Sequence, residues 1–259
     1  MSFKIALSAA LALATAQAPV QQVSPLDAAI AASNRSPTNV ARDQYRHPAA
    51  TLAFFGVKPG DTVVELWPGG GWYTEILAPY LAAGGMLQVV PPAGSYDQRI
   101  RAKVAGNPVY GKVQVATFTS GQPIPVPPGS ADVVLTFRNV HSWMDADNPI
   151  ADQVFAEAFR VLKPGGTLGV EEHRLPEEAD AAREATSGYV KVSTVRRLAE
   201  KAGFQFVGSS EINANPKDTK DYPEGVWTLP PTFELGDKDR EKYVAIGESD
   251  RMTLKFVKP

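Results

Sequence analysis

The feature that most constrains this sequence is a short apolar segment that leads into three consecutive glycines. Residues 62–66 read Thr-Val-Val-Glu-Leu, a pattern typical of a buried strand, and Gly69, Gly70 and Gly71 follow after two intervening residues. Glycine lets the backbone adopt positive φ and approach a ligand closely. The helix predicted over 72–81 would direct its free N–H groups at the same place. A strand, a glycine turn and a helix in this order are typical of a nucleotide-type cofactor site.

Short apolar runs alternate with segments of helical spacing along most of the chain. The runs predict strands at residues 62–66, 86–90, 113–118, 132–137, 167–172, 205–210 and 251–257. Helical spacing predicts helices at residues 25–33, 39–55, 72–81, 96–104, 150–162 and 193–202. Helices that connect short strands indicate an α/β fold with a doubly wound, mostly parallel sheet of seven strands. Ligands of such sheets bind outside the carboxyl ends of the strands, so we expect the functional residues there.

The N-terminus has the pattern of a secretory leader. Lys4 precedes a run of small apolar residues, 5–15, which is too short to span a bilayer. Residues 14–16 and 16–18 both match the small-x-small cleavage rule. We therefore predict a signal peptide over 1–16, cut after residue 16 or 18, and a periplasmic or secreted protein. A buried N-terminal helix is the alternative.

The composition limits the classes of partner and site that this protein can have. A net charge of −2, with no run of lysine and arginine, argues against nucleic acid. The absence of cysteine from the sequence excludes thiol nucleophiles, disulfides and thiolate metal sites. No stretch after the leader is long and apolar enough for a membrane span. We expect a linker and N-terminal helix over 17–38, one domain over 39–259, and a small molecule as the partner.

A long polar segment, 213–250, interrupts the alternation of strands and helices. It contains prolines and aromatic residues, with Tyr-Pro-Glu-Gly-Val-Trp-Thr-Leu-Pro-Pro at 222–231. Loops of this length in a compact domain are usually functional or disordered, and the aromatic residues argue against disorder. We predict a flap packed over the ligand edge of the sheet. A structural cover over an edge strand is the alternative.

Three stretches together resemble the class I S-adenosylmethionine-dependent methyltransferases. Residues 63–71 stand where that family has its acid-then-glycine motif, 128–135 resemble the entry to its fourth strand, and 157–168 resemble the helix and turn into its fifth. The chain is more narrowly similar to a bacterial branch that shares Trp-Pro-Gly-Gly-Gly-Trp-Tyr-Thr-Glu, the Arg-Asn-x-His-x-Trp segment at 138–143 and the Ser-Asp-Arg-Met-Thr-Leu segment at 249–254. The resemblance implies a Rossmann-like methyltransferase sheet that ends in an antiparallel strand.

The resemblance also implies S-adenosylmethionine as the cofactor. Glu65 would order the glycine turn and face the cofactor's amino group, although it would serve equally to cap the turn. Trp67 would stack on a ring of the ligand or pack into the core. The residues predicted to bind the cofactor are Glu65, Trp67, Gly69, Gly70, Gly71 and Arg138.

Polar residues after the fourth and fifth strands are the candidates for catalysis. His141 would serve as a general base because imidazole titrates near neutrality, and Asn139 would orient the substrate. Glu171-Glu172-His173-Arg174 ends the fifth strand, where His173 is either a second base or part of an ion-paired network. Two histidines and an acid without a ligand spacing are a weak signal, so we predict no metal site. Residues predicted to bind the substrate are Tyr189, Tyr222 and Trp227.

Two departures from the family pattern keep a second function open. The family usually has an acid at the end of the second strand and another after the third. Here residues 87–92 read Leu-Gln-Val-Val-Pro-Pro, and 118–122 read Phe-Thr-Ser-Gly-Gln. We therefore predict a methyltransferase acting on a small-molecule acceptor. A non-catalytic exported protein that binds a small ligand or a partner on the same fold is the alternative.

Overall fold

A computed structural model describes Met1 and residues 23–259, so the predicted signal peptide and its cleavage sites lie outside the described residues apart from Met1. The strands are β1 (Thr62–Leu66), β2 (Met86–Val90), β3 (Gln114–Val115), β4 (Ala131–Phe137), β5 (Leu162–Leu175), β6 (Val190–Lys191), β7 (Gln205–Ser210) and β8 (Arg251–Val257). The helices are α1 (Pro25–Ile30), α2 (Pro37–Val40), α3 (Asp43–Arg46), α4 (Pro48–Phe55), α5 (Thr74–Leu81), α6 (Ser95–Ala105), α7 (Val140–Trp143), α8 (Ala151–Val161), α9 (Val192–Lys201) and α10 (Arg240–Ile246). Short 3₁₀ turns cover Pro108–Tyr110, Ala181–Ala185 and Gly225–Thr228.

The sheet confirms the predicted α/β fold. Its strand order is β3-β2-β1-β4-β5-β8-β7, and the short β6 pairs with β5 beside this path. β1, β2, β3, β4 and β5 run parallel, whereas β8 is antiparallel to both β5 and β7. The sheet is therefore mostly parallel along a seven-strand path, as predicted, and β6 is an addition that the sequence did not indicate.

Helices cover both faces of the sheet because alternate residues of each central strand point to opposite sides. In β1, Val64 packs into a core cluster that contains Phe155 of α8, and Val63 packs into a second cluster that contains Ile76 of α5. Both valines are fully buried. Near-continuous apolar strands of this kind are typical of a parallel sheet that is covered on both faces.

Two elements differ from the sequence expectation for identifiable reasons. The helix predicted over 39–55 is divided between α2, α3 and α4, because His47 adopts a left-handed φ of 40° immediately before Pro48. Pro48 supplies the first residue of α4, a position where its missing N–H costs nothing. The strand predicted over 113–118 shrinks to β3, followed by an isolated bridge between Pro92 and Phe118.

The strand order places the candidate site. The chain runs from β1 to one side through β2 and β3 and then returns to the other side of β1 as β4. Such a reversal is a topological switch point, where the carboxyl ends of neighbouring strands leave a crevice. Leu66 of β1 pairs with Thr136 of β4, and Phe137 of β4 pairs with Glu171 of β5, so these strands end close together. Among the described residues, no helix is long and apolar enough to cross a membrane.

Candidate functional site

A cavity of about 320 Å³ lies at the carboxyl ends of β1, β4 and β5. Residues from the 213–250 segment, including Val226 and Trp227, line it on the side away from the sheet. It therefore lies at the strand ends where the sequence predicted a site. The predicted site residues that line it are Glu65, Trp67, Gly69, Gly70, Arg138, Asn139, His141, His173 and Trp227.

The three glycines of the turn have different environments. Gly69 and Gly71 have positive φ, 58° and 81°, which L-residues adopt at a cost. A Cβ on Gly71 would lie 2.8 Å from Cε of Lys103, so this glycine packs against a helix side chain, and it does not line the cavity. A Cβ on Gly70 would meet nothing within 4 Å. Gly70 therefore presents its backbone to open space at the cavity wall.

Glu65 ends its strand inside the protein with only 1% of its surface exposed. Thr74, the first residue of α5, donates a hydrogen bond of 2.6 Å from Oγ1 to Oε2 of Glu65. Burial raises the pKa of Glu65 to about 7, and the Thr74 hydrogen bond offsets part of that shift. The carboxyl group thus joins the strand end to the helix beneath the cavity.

Trp67 and Asn139 hold the strand ends together. Trp67 has a left-handed φ of 47°, and its ring packs edge-on against Trp143 with ring centroids 5.5 Å apart. The Asn139 side-chain amide donates to the backbone oxygens of Leu66 and Trp67 at 3.2 and 3.1 Å, and to Oγ1 of Thr136 at 3.0 Å. Asn139 therefore connects the ends of β1 and β4, and its amide donors already have acceptors within the protein.

A buried carboxylate orients His141. Oε1 of Glu172 lies 3.0 Å from Nδ1 of His141, and Oε2 accepts the backbone N–H of Val140 at 2.5 Å and that of His141 at 3.3 Å. Oε1 also accepts the backbone N–H of His173 at 2.8 Å. With Nδ1 facing Glu172, Nε2 is the ring nitrogen that His141 can offer to a ligand in the cavity. A histidine held by a buried carboxylate is an arrangement suited to proton transfer.

His173 lies beside His141 with ring centroids 5.4 Å apart. Its Nδ1 is 2.6 Å from Oγ of Ser249. Burial, followed by the neighbouring His141 and Arg138, lowers the pKa of His173 well below its usual value, so the ring is neutral at pH 7. Ligand atoms of His141, Glu172 and His173 lie within 4.8 Å of one another and could hold a metal ion. The carboxylate of Glu172, however, already accepts hydrogen bonds on both oxygens, which favours an orienting role.

Two of the predicted substrate-binding residues do not line the cavity. Tyr189 is fully buried behind His173, and its hydroxyl lies 3.1 Å from both carboxylate oxygens of Asp218. The Tyr222 hydroxyl accepts the backbone N–H of Thr219 at 3.0 Å. Both hydroxyls therefore fasten the 213–250 segment to itself or to the domain.

Sequence reasoning did not find the charged residues that the N-terminal helices and the 213–250 segment bring to the cavity. Arg42 and Arg46 approach from the N-terminal helices, and Glu248 from the end of the 213–250 segment. Nε of Arg42 lies 2.6 Å from Oε1 of Glu248, and Nε of Arg46 lies 3.1 Å from Oε2. The surrounding arginines lower the pKa of Glu248 to about 2 although burial opposes this. Glu248 lies more than 200 positions from either arginine in the sequence. Only the i, i+4 spacing of Arg42 and Arg46 was visible in the sequence.

The site residues at the ends of β1 and β4 lie in a segment that matches a known protein family. Residues 65–170 match the family described as “Methyltransferase domain”. The matched segment begins at Glu65 and contains the glycine turn, β4 and most of β5, on the sheet order described above. This match agrees with the resemblance of the sequence to the class I S-adenosylmethionine-dependent methyltransferases. This match supports the cofactor predicted from the first motif.

Known proteins resemble this methyltransferase domain at low identity. An arsenite methyltransferase of Halobacterium salinarum is 25% identical over 165 residues, which are 60% of this chain and 40% of that protein. The chain thus spans about two fifths of the length of this relative. A SAM-dependent methyltransferase of Aquifex aeolicus superposes with a TM-score of 0.59 at 17% identity, covering 86% of this chain and 94% of that one.

A third similar protein is an O-methyltransferase from neocarzinostatin biosynthesis, crystallised with S-adenosyl-L-homocysteine and 1,4-dihydroxy-2-naphthoic acid. It superposes with a TM-score of 0.54 at 13% identity, covering 86% of this chain and 56% of that one. At these identities the superpositions show a shared fold. The N-terminal helices and the 213–250 segment lie outside the matched methyltransferase domain, although both contribute walls to its cavity.

Proposed function

We propose that this protein binds S-adenosylmethionine and transfers its methyl group to a small-molecule acceptor. The observation that carries the proposal is that the glycine turn and His141 line the same cavity of about 320 Å³. A turn with an exposed backbone would seat the cofactor, and an oriented imidazole would face the acceptor. The methyltransferase domain match supports the same reaction class.

The residues at the end of β1 fit the predicted cofactor. A Cβ at Gly70 would meet no protein atom, so the cavity wall at this position is shaped by the lack of a side chain. Glu65 and Gly69 line the cavity beside it, as does the half-buried ring of Trp67. S-adenosylmethionine, when bound, supplies a methyl carbon on a positively charged sulfonium. Gly69 and Gly70 would contact the cofactor through backbone groups, and Glu65 would accept hydrogen bonds from it.

His141 would remove the acceptor's proton. Methyl transfer is a direct displacement, so alignment of the nucleophile with the methyl carbon supplies much of the rate. An acceptor O–H or N–H must lose its proton during or after attack, and the Nε2 atom of His141 can take it. Glu172 keeps the opposite ring nitrogen protonated and stabilises the imidazolium that forms. The neutral His173 ring beside it does not repel the developing positive charge.

Binding of S-adenosylhomocysteine, measured by isothermal titration calorimetry, tests the cofactor assignment. We expect wild-type protein to bind it and Gly70→Val to lose at least tenfold in affinity, because the valine side chain would project into ligand space without displacing protein atoms. Gly208→Val is the matched control. A Cβ at Gly208 also meets nothing within 4 Å, and Gly208 does not line the cavity. Equal affinities for the two variants would place the cofactor elsewhere.

The acceptor is proposed to be organic. The similar protein from Halobacterium salinarum is an arsenite methyltransferase. Soft metal and metalloid centres are held well by thiolates, and this sequence contains no cysteine. The cavity instead offers imidazole, guanidinium and carboxylate groups. Methyl transfer to such an acceptor can be checked with radiolabelled S-adenosylmethionine and a panel of small hydroxyl and amine compounds.

A second candidate function is ligand binding without methyl transfer. The first acidic residue after β2 in the sequence, Asp97, accepts hydrogen bonds from Arg101 at 2.9 Å and from Thr117 at 2.5 Å, and it lies outside the cavity lining. A cofactor ribose would thus lack a charge-assisted acceptor, a loss of about 1.5–3 kcal/mol. Wild-type protein that gives no heat with millimolar S-adenosylhomocysteine would favour this second function.

We also propose that the protein is exported, on the basis of the N-terminal pattern alone. The cleavage sites predicted after residues 16 and 18 imply a mature chain that begins at 17 or 19. N-terminal sequencing of protein from a periplasmic fraction is the direct measurement. Intact Met1 on protein recovered from cytoplasm would contradict export.

A further inference from the structure

Three arginines line one wall of the cavity and outnumber the carboxylates that accompany them. They are Arg42, Arg46 and Arg138, and Glu248 lines the cavity beside them. Nearly all of the Arg46 side chain is buried, with 1% of its surface exposed, and 19% of the Arg42 side chain is exposed. Buried guanidinium groups are costly without partners, so their concentration here calls for an explanation.

Neighbouring charges leave most of this positive charge uncompensated. Behind the wall, Arg251 forms its own ion pairs, at 3.0 Å to Glu171 and 3.2 Å to Glu248. Glu248 is therefore shared between three arginines. Mutual repulsion adds to the effect, because burial and then the charge of Arg138 lower the pKa of Arg46 well below its usual value.

The ion pairs also leave N–H donors of the guanidinium groups unsatisfied. Arg42 and Arg46 both contact Glu248 through Nε, rather than through the pair of Nη atoms. The Nη2 atoms of both have no hydrogen-bond partner within the described part of the chain. Paired guanidinium N–H groups are the geometry that recognises a carboxylate or phosphate through two hydrogen bonds.

Arg138 is the least satisfied of the three. Within residues 23–259 it makes no ion pair shorter than 4.0 Å, and its buried Nε has no hydrogen-bond partner. Its backbone is fixed in a left-handed conformation, with a φ of 62°, by the N–H that it donates to the carbonyl of Glu171 at 2.7 Å. A strained, non-glycine residue that aims an unpaired cation at a cavity is more readily explained by a ligand than by packing.

We propose that this wall, formed by Arg42, Arg46 and Arg138, binds a carboxylate or phosphate group of the methyl acceptor. The inference rests on the proposed methyl transfer and names its substrate class, a small organic anion. S-adenosylmethionine itself carries a net positive charge, because its sulfonium and ammonium outnumber its one carboxylate. Cofactor binding would therefore add to the positive charge of the cavity, and an anionic acceptor would balance it.

Inorganic phosphate is the probe for this wall, titrated by calorimetry against sodium chloride of matched ionic strength. We expect wild-type full-length protein to bind phosphate and Arg138→Gln to lose at least tenfold in affinity. Arg42→Gln, a change at a partly exposed side chain, should lose affinity as well and covers the case in which Arg138→Gln does not fold. Arg99→Gln is the control, because Arg99 is exposed on α6, stacks over the ring of Tyr96 and does not line the cavity. Equal phosphate affinity in all four proteins would overturn the proposal.

The same titration with saturating S-adenosylhomocysteine identifies the source of the anion. Phosphate binding that persists beside the cofactor product supports an acceptor site. S-adenosylhomocysteine could instead abolish phosphate binding while 5′-methylthioadenosine leaves it intact. That result would assign the arginines to the cofactor's own carboxylate and overturn the proposal of an acidic acceptor. A protein that binds phosphate but not S-adenosylhomocysteine would contradict methyl transfer while supporting an anion-binding cavity.

Discussion

At the scale of single residues, Glu65 shows that this site costs the protein stability. Its carboxyl group is 1% exposed, and its hydrogen-bond donor is the neutral hydroxyl of Thr74. Burial favours the protonated form, which raises the pKa from 4.5 to about 7. Because the pKa is higher in the folded than in the unfolded state, Glu65 costs no stability below pH 4.5, and its cost grows as the pH rises to about 7. A residue kept at such a cost is expected at a binding site.

We predict that Glu65→Gln stabilises the protein at pH 8. The shift from 4.5 to about 7 corresponds to about 3 kcal/mol, and glutamine removes this cost while keeping an acceptor for Thr74. The gain in free energy of unfolding, measured with urea, should be about 2–3 kcal/mol at pH 8 and near zero at pH 4.5. Glu200→Gln, at an exposed pair with Arg196, should change stability little at either pH. A loss of stability at pH 8 would contradict this account of Glu65.

The sequence could predict the residues at the strand ends but not the charged residues that other segments bring to the cavity. Glu65, Arg138, His141 and His173 lie at or shortly after the ends of apolar strands, and parallel strands bring such positions together. Arg46 meets Glu248 only after the N-terminal helices and the 213–250 segment have packed on the domain. No local pattern specifies that contact, because it depends on tertiary packing between segments with weak periodicity.

At the scale of elements, strands were predicted more accurately than helices. The bounds of β1, β2, β7 and β8 agree with the predicted ones. The predicted helix over 39–55 failed at His47, where a left-handed residue and the following proline separate α3 from α4. Left-handed backbone at a histidine is uncommon, so the break could be suspected from Pro48 but not located.

Two glycines dock the 213–250 segment onto the domain. A Cβ on Gly225 would lie 2.2 Å from the backbone oxygen of Ser187, and one on Gly188 would lie 2.5 Å from Cγ1 of Val226. The backbone N–H of Val226 donates to the same Ser187 oxygen at 2.8 Å. This close approach holds Val226 and Trp227 at the cavity. The glycines are therefore required by contact between elements, which the sequence alone did not show.

Gly225→Ala is predicted to loosen this segment. The new methyl group would overlap the Ser187 backbone, which cannot move aside as a flexible side chain would, at a cost of about 1–3 kcal/mol in unfolding free energy. Hydrogen exchange of the Val226 amide should accelerate in the variant. Gly236→Ala is the control, because its φ of 62° carries the same left-handed cost while its Cβ meets nothing within 4 Å. Equal protection of Val226 in both variants would show that the Gly225 contact does not dock the segment.

At the scale of the whole molecule, Glu248 joins parts of the chain that are distant in sequence. Its carboxylate pairs with Arg42 and Arg46 from the N-terminal helices and with Arg251 of β8. Asn215, near the start of the 213–250 segment, donates to the Glu248 backbone oxygen at 2.7 Å. The N-terminal helices, the 213–250 segment and β8 thus meet at one buried charge. We infer that the closed cavity depends on this carboxylate being ionised.

Glu248→Gln should therefore destabilise the entire fold in a pH-dependent way. The pKa is lowered from 4.5 to about 2, so the contribution is fully present above pH 4.5 and is lost as the pH falls to 2. This difference corresponds to about 3 kcal/mol at pH 7, where the variant also leaves three arginines without their shared anion. Urea denaturation should show a loss of about 3–5 kcal/mol at pH 7 that narrows towards pH 3. Glu211→Gln removes an exposed partner of Arg174 and should cost less than about 1 kcal/mol. A similar small loss for Glu248→Gln would mean that the N-terminal helices are held in place by their other contacts, among them the hydrogen bonds of Asn39 with Glu75 and Trp72.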